Sequence, residues 1–280
     1  TVLESVNRPQ PFELSQQVVA WLRQYGVHHI NFDFLYGLPH QTIATMTRTM
    51  EQALSLDPSR ISLFGYAHVP WMKKHMQLMP TDALPDKSVR YDLFETAARI
   101  LDDNGYTIIG IDHFAKKDDA ITHALHNKTL RRNFQGYTTD TSDALIGIGS
   151  SAIGRFPQGF IQNSPHAPIY REKILSSQFP VTKFCTIHEE DKLRGAVIEQ
   201  LMCYLMVDVP AICRAHGFDS HYLDACIETL YPWVADGLLT IDNGVITVNP
   251  AARHMVRLTA AAFDSYLPKV TETPRHAMAV

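Results

Sequence analysis

A carboxylate inside a strand is the first residue with chemistry to explain. In NFDFLYGLPHQT, residues 31–42, polar and apolar residues alternate up to Tyr36, and the run stops at Gly37-Leu38-Pro39. Asp33 stands within it. An acid there either pairs with a buried donor, for which His68 is one choice, or faces a ligand. Strands of parallel α/β folds deliver ligand-contacting residues near their C-terminal ends. Asp33 sits a few residues before such an end and suits a bidentate grip on a ribose diol. Arg8, in SVNRPQ, has the planar fork that clamps a free carboxylate. Ala67, between Tyr66 and His68, lets a flat ring approach the backbone, whose N–H and C=O could read an adenine edge. RRNFQGYTT, residues 131–139, gathers cations, amides, an aromatic pair and hydroxyls, a poor core but a good wall for a polyanionic ring. His113, His123 and His126 lack the i,i+4 spacing of helical metal ligands, which argues against a metal site there.

These residues need elements to hold them. Leu14, Val18, Trp21, Leu22 and Tyr25 form one helical face over residues 13–25, ended by Gly26. A strand is expected over 27–36. Thr42 caps a helix with Ile43, Met46, Met50, Ala53 and Leu54 inward, which stops near Asp57-Pro58. A strand over 60–69, a helix over 86–104 and a strand over 106–112 follow. Such alternation implies βαβ units in a parallel sheet or barrel. Residues 113–141 read as a long polar loop, the kind that is usually functional or disordered. DALIGIGSSAIG, residues 143–154, reads as a glycine-interrupted strand and does not fit the dinucleotide-binding G-x-G-x-x-G pattern. From 188 onward the order is helices over 188–205, 209–216 and 219–236, a hairpin turning at Asn243-Gly244, and a helix over 250–267. That order is winged-helix-like. The tail after Pro268 is expected to be loose.

The chain has 280 residues, 45% hydrophobic, and a formal net charge of −4. Two domains or one large α/β domain fit that length. Residues 188–266 hold five Lys or Arg against eleven Asp or Glu, which disfavours a nucleic-acid-binding winged helix. The four cysteines, Cys185, Cys203, Cys213 and Cys226, form no C-x-x-C or C-x-x-x-C and read as reduced thiols in a cytoplasmic protein. No apolar run reaches the ~18 residues of a membrane span, and no signal peptide is visible. The chain starts at Thr1 and reads as a piece of something longer.

Taken together, NRPQ, NFDFLYGLPHQT, RISLFGYAHVPW, GIDHFAK, RRNFQGYTT and IGIGSSAI resemble the oxygen-independent coproporphyrinogen III oxidase family of radical S-adenosylmethionine enzymes. The family's C-x-x-x-C-x-x-C loop and glycine-rich strand are missing, so the resemblance is to its C-terminal portion. It implies an α/β fold: residues 1–187 as the late part of a partial (β/α)6 barrel, then a mostly helical, winged-helix-like domain over 188–280. It implies that Arg8 pairs with the S-adenosylmethionine carboxylate, Asp33 holds its ribose, and Ala67 meets its adenine. Ile153, with Phe134 and Gln135 nearby, would line the pocket of a second S-adenosylmethionine. The [4Fe–4S] ligands would lie upstream of this chain.

The reaction implied converts two propionates of coproporphyrinogen III to vinyls, giving protoporphyrinogen IX in anaerobic haem biosynthesis. Each conversion removes a β-hydrogen by radical attack and loses CO2 and one electron. The chain alone is expected to be inactive. Since the substrate carries four carboxylates, Arg131 and Arg132 are chosen on chemical grounds as its holders. The resemblance implies a cytoplasmic protein, monomeric at full length, with an electron donor left unnamed and no nucleic-acid or membrane partner. A haem chaperone of the same superfamily is the alternative. RNFQGYTT distinguishes the two.

Overall fold

The computed structural model describes residues 2–267. The expected tail after Pro268 lies outside the described residues. A short helix, α1 (Val2–Ser5), precedes α2 (Phe12–Gln24), β1 (Asn31–Tyr36), α3 (Ile43–Ser55), β2 (Arg60–Gly65) and α4 (Lys87–Asp103). β3 (Tyr106–Ile109) and β4 (His113–Lys116) complete a four-stranded sheet of order β1-β2-β4-β3. Only the β1–β2 pair is parallel; β4 is antiparallel to both β2 and β3.

The capping reads directly from sequence. Thr42 Oγ1 accepts from the Thr45 N–H at 3.2 Å, and Asp86 Oδ1 from the Val89 N–H at 2.9 Å, so two orphan donors are satisfied. α3 and α4 bury Met46, Met50, Leu93, Ala97 and Leu101 against Tyr36, Ile61, Leu63 and Phe114 on one face of the sheet. α2 departs from its expected packing. Val19, with Phe12 and Leu22, packs on Ile30 and Leu56. Leu14, Val18, Trp21 and Tyr25 are exposed, so most of the expected inward face is turned out.

Three further expectations need correcting. Residues 27–30 precede the strand, because the paired partner of β1 begins only at Arg60, just after Pro58. Residues 106–112 are not one strand. The chain reverses at Gly110–Asp112, with Gly110 at φ +58°. A side chain there would overlap the Tyr137 ring. Residues 113–141 are not a structureless loop either. They form β4, α5 (Ala120–His126) and a hairpin of β5 (Arg131–Asn133) and β6 (Gly136–Thr138).

Beyond this hairpin lies a three-stranded antiparallel sheet of β7 (Ile153–Phe156), β8 (Gly159–Asn163) and β9 (Val181–Thr186), with α6 (Ala167–Leu175) between β8 and β9. The expected strand over 143–154 is mostly loop. The Asn163 amide donates to the carbonyls of Gly147 and Gly149 at 3.0 Å each and holds it in a curve.

The last part has its own core. α7 (Glu189–Tyr204), α8 (Val209–Ala215), α9 (Asp224–Glu228), α10 (Tyr231–Ala235) and α11 (Val256–Ala261) surround a sheet of β10 (Met206–Asp208), β11 (Leu239–Asp242) and β12 (Val245–Val248). Leu193, Val197, Leu201, Cys213, Ile246, Val256 and Phe263 fill its centre. Ile111, at the β3–β4 turn, inserts into the same cluster. The expected 219–236 helix is two short helices, and 250–255 is a 3-10 turn leading into α11.

Candidate cofactor and substrate site

Register settles which way Asp33 faces. Asp33 pairs with Ser62, and Ser62 with His113, so the three side chains share one face across β1, β2 and β4. Phe32, Phe34 and Tyr36 alternate onto the other face, under α3 and α4. α5 and Tyr137 cover Ile109 and Ala115 at the far half of the Asp33 face. The β1 half is open: Asn31, Asp33 and Leu35 are all exposed.

Asp33 is oriented. The Ser62 hydroxyl donates to Asn31 Oδ1 at 3.3 Å, and the Asn31 amide donates to Asp33 Oδ1 at 2.7 Å. The second carboxylate oxygen has no partner among the described residues. The alternative pairing with His68 is not formed; His68 Nδ1 instead meets the Tyr66 hydroxyl at 3.1 Å. Asn31 and Ser62 went unread as site residues. The i,i+2 spacing of Asn31 and Asp33 was the signal that could have found the first.

The ends of β1 and β2 are clamped from α4. Arg90 Nη1 donates to the Tyr66 carbonyl at 2.9 Å, and its guanidinium lies 5.8 Å from the centre of the Tyr36 ring. Gly37 and Gly65 leave it room: side chains there would come within 2.9 Å and 3.2 Å of Arg90. Burial raises the Tyr36 phenol above its ordinary value. The Tyr66 N–H donates to the Tyr36 carbonyl at 2.8 Å, which carries the parallel ladder one step past β2. Ala67 follows at once, exposed, and its N–H and C=O have no partner among the described residues.

The hairpin β5–β6 presents Phe134 and Gln135 at its tip, both exposed. The Gln135 N–H donates to Asn133 Oδ1 at 2.8 Å and tightens the turn. Arg131 is turned to α7, where its Nε donates to Glu199 Oε1 at 3.0 Å; the same oxygen accepts the Arg132 N–H at 2.8 Å. This pairing raises the Arg131 guanidinium further above its ordinary value. Arg132 lies 5.5 Å over the Tyr137 ring. The Tyr137 hydroxyl accepts the Ile111 N–H at 3.2 Å and donates to the Met202 carbonyl at 3.0 Å. His113 links hairpin and sheet, edge-on to Phe64 at 5.6 Å and to Tyr137 at 5.0 Å.

Two expected site residues stand apart from this group. Arg8 is exposed in the loop after α1, its guanidinium without a partner among the described residues. Ile153 is half-buried at the start of β7, in a different sheet. The cysteines do not fit an iron–sulfur cluster. Cys203 lies with Tyr137 and Leu130, Cys213 in the C-terminal core, Cys226 at that core's margin, and Cys185 is exposed on β9. Burial pushes the Cys203 thiol up to about 12, the opposite of what a thiolate ligand needs.

No protein-family model matches the chain. Among curated proteins it is 42% identical over 266 residues to the oxygen-independent coproporphyrinogen III oxidase of Bradyrhizobium diazoefficiens, covering 95% of this chain and 59% of that one. The protein of that name from Paracoccus denitrificans is 39% identical over 261 residues, covering 93% and 58%. The chain is related to the oxygen-independent coproporphyrinogen III oxidases. It spans about 59% of the length of the first relatives it matches. Among solved structures, the coproporphyrinogen III oxidase of Escherichia coli, described as a radical SAM enzyme, superposes with a TM-score of 0.89 at 31% identity. That match covers 95% of this chain and 62% of the other.

Proposed function

We propose that the chain is the C-terminal part of an enzyme that oxidatively decarboxylates two propionates of coproporphyrinogen III, using S-adenosylmethionine. One observation carries this reading: an exposed carboxylate, held in place by Asn31 and Ser62, lies on the open half of a sheet face. Past the end of the neighbouring strand follows the free backbone of Ala67. Asp33 would hold the ribose hydroxyls and Ala67 the adenine edge. Arg8 would pair with the methionyl carboxylate, and Phe134, Gln135 and Ile153 would line a second cofactor pocket. Bound there, S-adenosylmethionine would supply the radical chemistry that the reaction needs. The chain's own residues orient and shield; no general base is required of them. Arg132, over Tyr137 at the hairpin, is the cation offered to substrate carboxylates, while Arg131, expected beside it, is engaged by Glu199.

Sheet β1-β2-β4-β3 would be the late part of a partial (β/α)6 barrel. The edge position of β1 and the exposed apolar stripe of α2 support further barrel elements beside them. The core built on residues 193–263, into which Ile111 inserts, supports a second, winged-helix-like domain from about 188. The cluster ligands would come from a region outside this chain. The partners proposed are the tetrapyrrole and an unnamed electron donor, in a cytoplasmic monomer. Among the described residues, no helix is long and apolar enough to cross a membrane.

The test joins this chain behind the N-terminal part of the Bradyrhizobium relative, reconstitutes the joined protein anaerobically, and follows coproporphyrinogen III by chromatography. Stepwise conversion to a divinyl product with release of CO2 is expected. Tight haem binding without decarboxylation would favour a chaperone instead.

A further inference from the structure

Asp112 and His113 form an arrangement that the cofactor contacts above do not use. Asp112 Oδ1 lies 2.7 Å from His113 Nδ1, and its Oδ2 accepts from Arg257 Nη2 at 3.0 Å. Arg257 belongs to α11, so the C-terminal core holds the carboxylate from behind. An ionised carboxylate only accepts, so a neutral ring in this pairing would carry its proton on Nδ1 and keep the lone pair on Nε2. The ring cannot turn freely, because Phe64 and Tyr137 meet it edge-on at 79° and 81°. Nε2 lies beside Gly136, where an added side chain would come within 3.1 Å of it. Gly136 adopts φ +138°, a backbone state that favours glycine. Nε2 has no hydrogen-bond partner among the described residues. Register puts His113 on the face of Asp33, two strands away, or about 10 Å. The ring therefore stands on the Asp33 face beside the hairpin turn at Gly136, held in orientation by Phe64 and Tyr137, with Nε2 unpartnered among the described residues.

We infer that His113 is a further substrate-contacting residue, accepting through Nε2 a hydrogen bond from a pyrrole N–H of the tetrapyrrole, with Asp112 and Arg257 as its positioning residues. This rests on the function proposed above. Conversion of a propionate to a vinyl loses one hydrogen atom from the β-carbon, one electron to an acceptor, and CO2, with the C–C bond pair becoming the new double bond. As the electron leaves, positive charge spreads onto the pyrrole nitrogen. An acceptor on its N–H stabilises that charge without a proton being transferred, and the Asp112 carboxylate behind the ring makes the acceptor stronger.

Two measurements test this. In the joined protein, His113→Phe removes the acceptor and His113→Gln restores one. The Phe variant should lose ~10- to 150-fold in decarboxylation kcat, the range for a hydrogen bond to a charged group. S-adenosylmethionine cleavage should fall far less, and Gln should recover part of the loss. Equal losses in both reactions would overturn the inference, since they mean support of the cofactor site or the fold. So would a raised KM at unchanged kcat, which means a protonated ring binding a carboxylate. A joined protein that decarboxylates nothing even without substitution would sink the proposed function itself. The second measurement needs no activity: nitrogen-15 spectra of this chain should show the Nδ1–H tautomer at His113 near neutral pH, lost in Asp112→Asn. An Nε2–H tautomer in the unsubstituted chain would overturn the inference alone.

Discussion

Arg131 and Arg132 are neighbours in sequence with opposite surroundings. On a strand, successive side chains point to opposite faces. Arg131 therefore reaches α7 and Glu199, while Arg132 shares the face of Tyr137. The sequence marked both as cations for substrate carboxylates, but the partner of Arg131, Glu199, is 68 residues away and no local pattern announces it. Arg131→Ala should lower stability by ~0.5–1 kcal/mol, as for a partly exposed ion pair. Glu199→Gln should cost a similar amount, and the double variant little more than either alone. Additive losses in thermal melts would mean the two side chains do not interact. Asp33 was more legible. Its alternation with Phe32 and Phe34 already separated it from the core, and the structure adds the two residues that orient it.

The β3–β4 hairpin ties sheet, hairpin β5–β6 and α7 together through one tyrosine. Sequence did not reveal it, because the turn residues Gly110-Ile111-Asp112 include a large apolar residue and read as a continued strand. Ile111 is apolar because it belongs to the C-terminal core, a tertiary reason invisible to periodicity. The elements from β1 to α4 were legible, since caps and apolar spacing agree there with the fold, whereas the apolar stripe of α2 is mostly exposed. Burial, together with the nearby Asp112 charge, pushes the Tyr137 phenol up to about 12. In the unfolded chain a tyrosine ionises near 10. The folded state thus holds the proton longer, and the stability this gives is full below pH ~10 and is lost as pH rises towards 12. Tyr137→Phe should be less stable by ~1–3 kcal/mol at pH 8, because the Ile111 N–H and Met202 carbonyl lose their partner. Between pH 10 and 12 the gap should narrow by about 1.4 kcal/mol per pH unit. A constant gap in urea melts across that range would mean Tyr137 ionises as it does in the unfolded chain.

At the scale of the molecule, the described residues supply a folded frame and an exposed, oriented carboxylate but no cluster of metal-ligating side chains. Anaerobic incubation with iron and sulfide should leave the chain without a [4Fe–4S] chromophore, and a thiol reagent should label Cys185 first and the buried Cys203 and Cys213 last. Near-stoichiometric cluster, or fast labelling at Cys203, would contradict the burial described here. The central claim is that the open face of β1 grips a ribose through Asp33. Titration calorimetry with S-adenosylmethionine on the joined protein, beside thermal melts of the same samples, tests it most directly. Asp33→Asn should bind ~10- to 150-fold more weakly, the loss of a charge-assisted acceptor, with little change in melting temperature because Asp33 is exposed. Unchanged affinity with a lowered melting temperature would contradict the account and return Asp33 to a purely structural role.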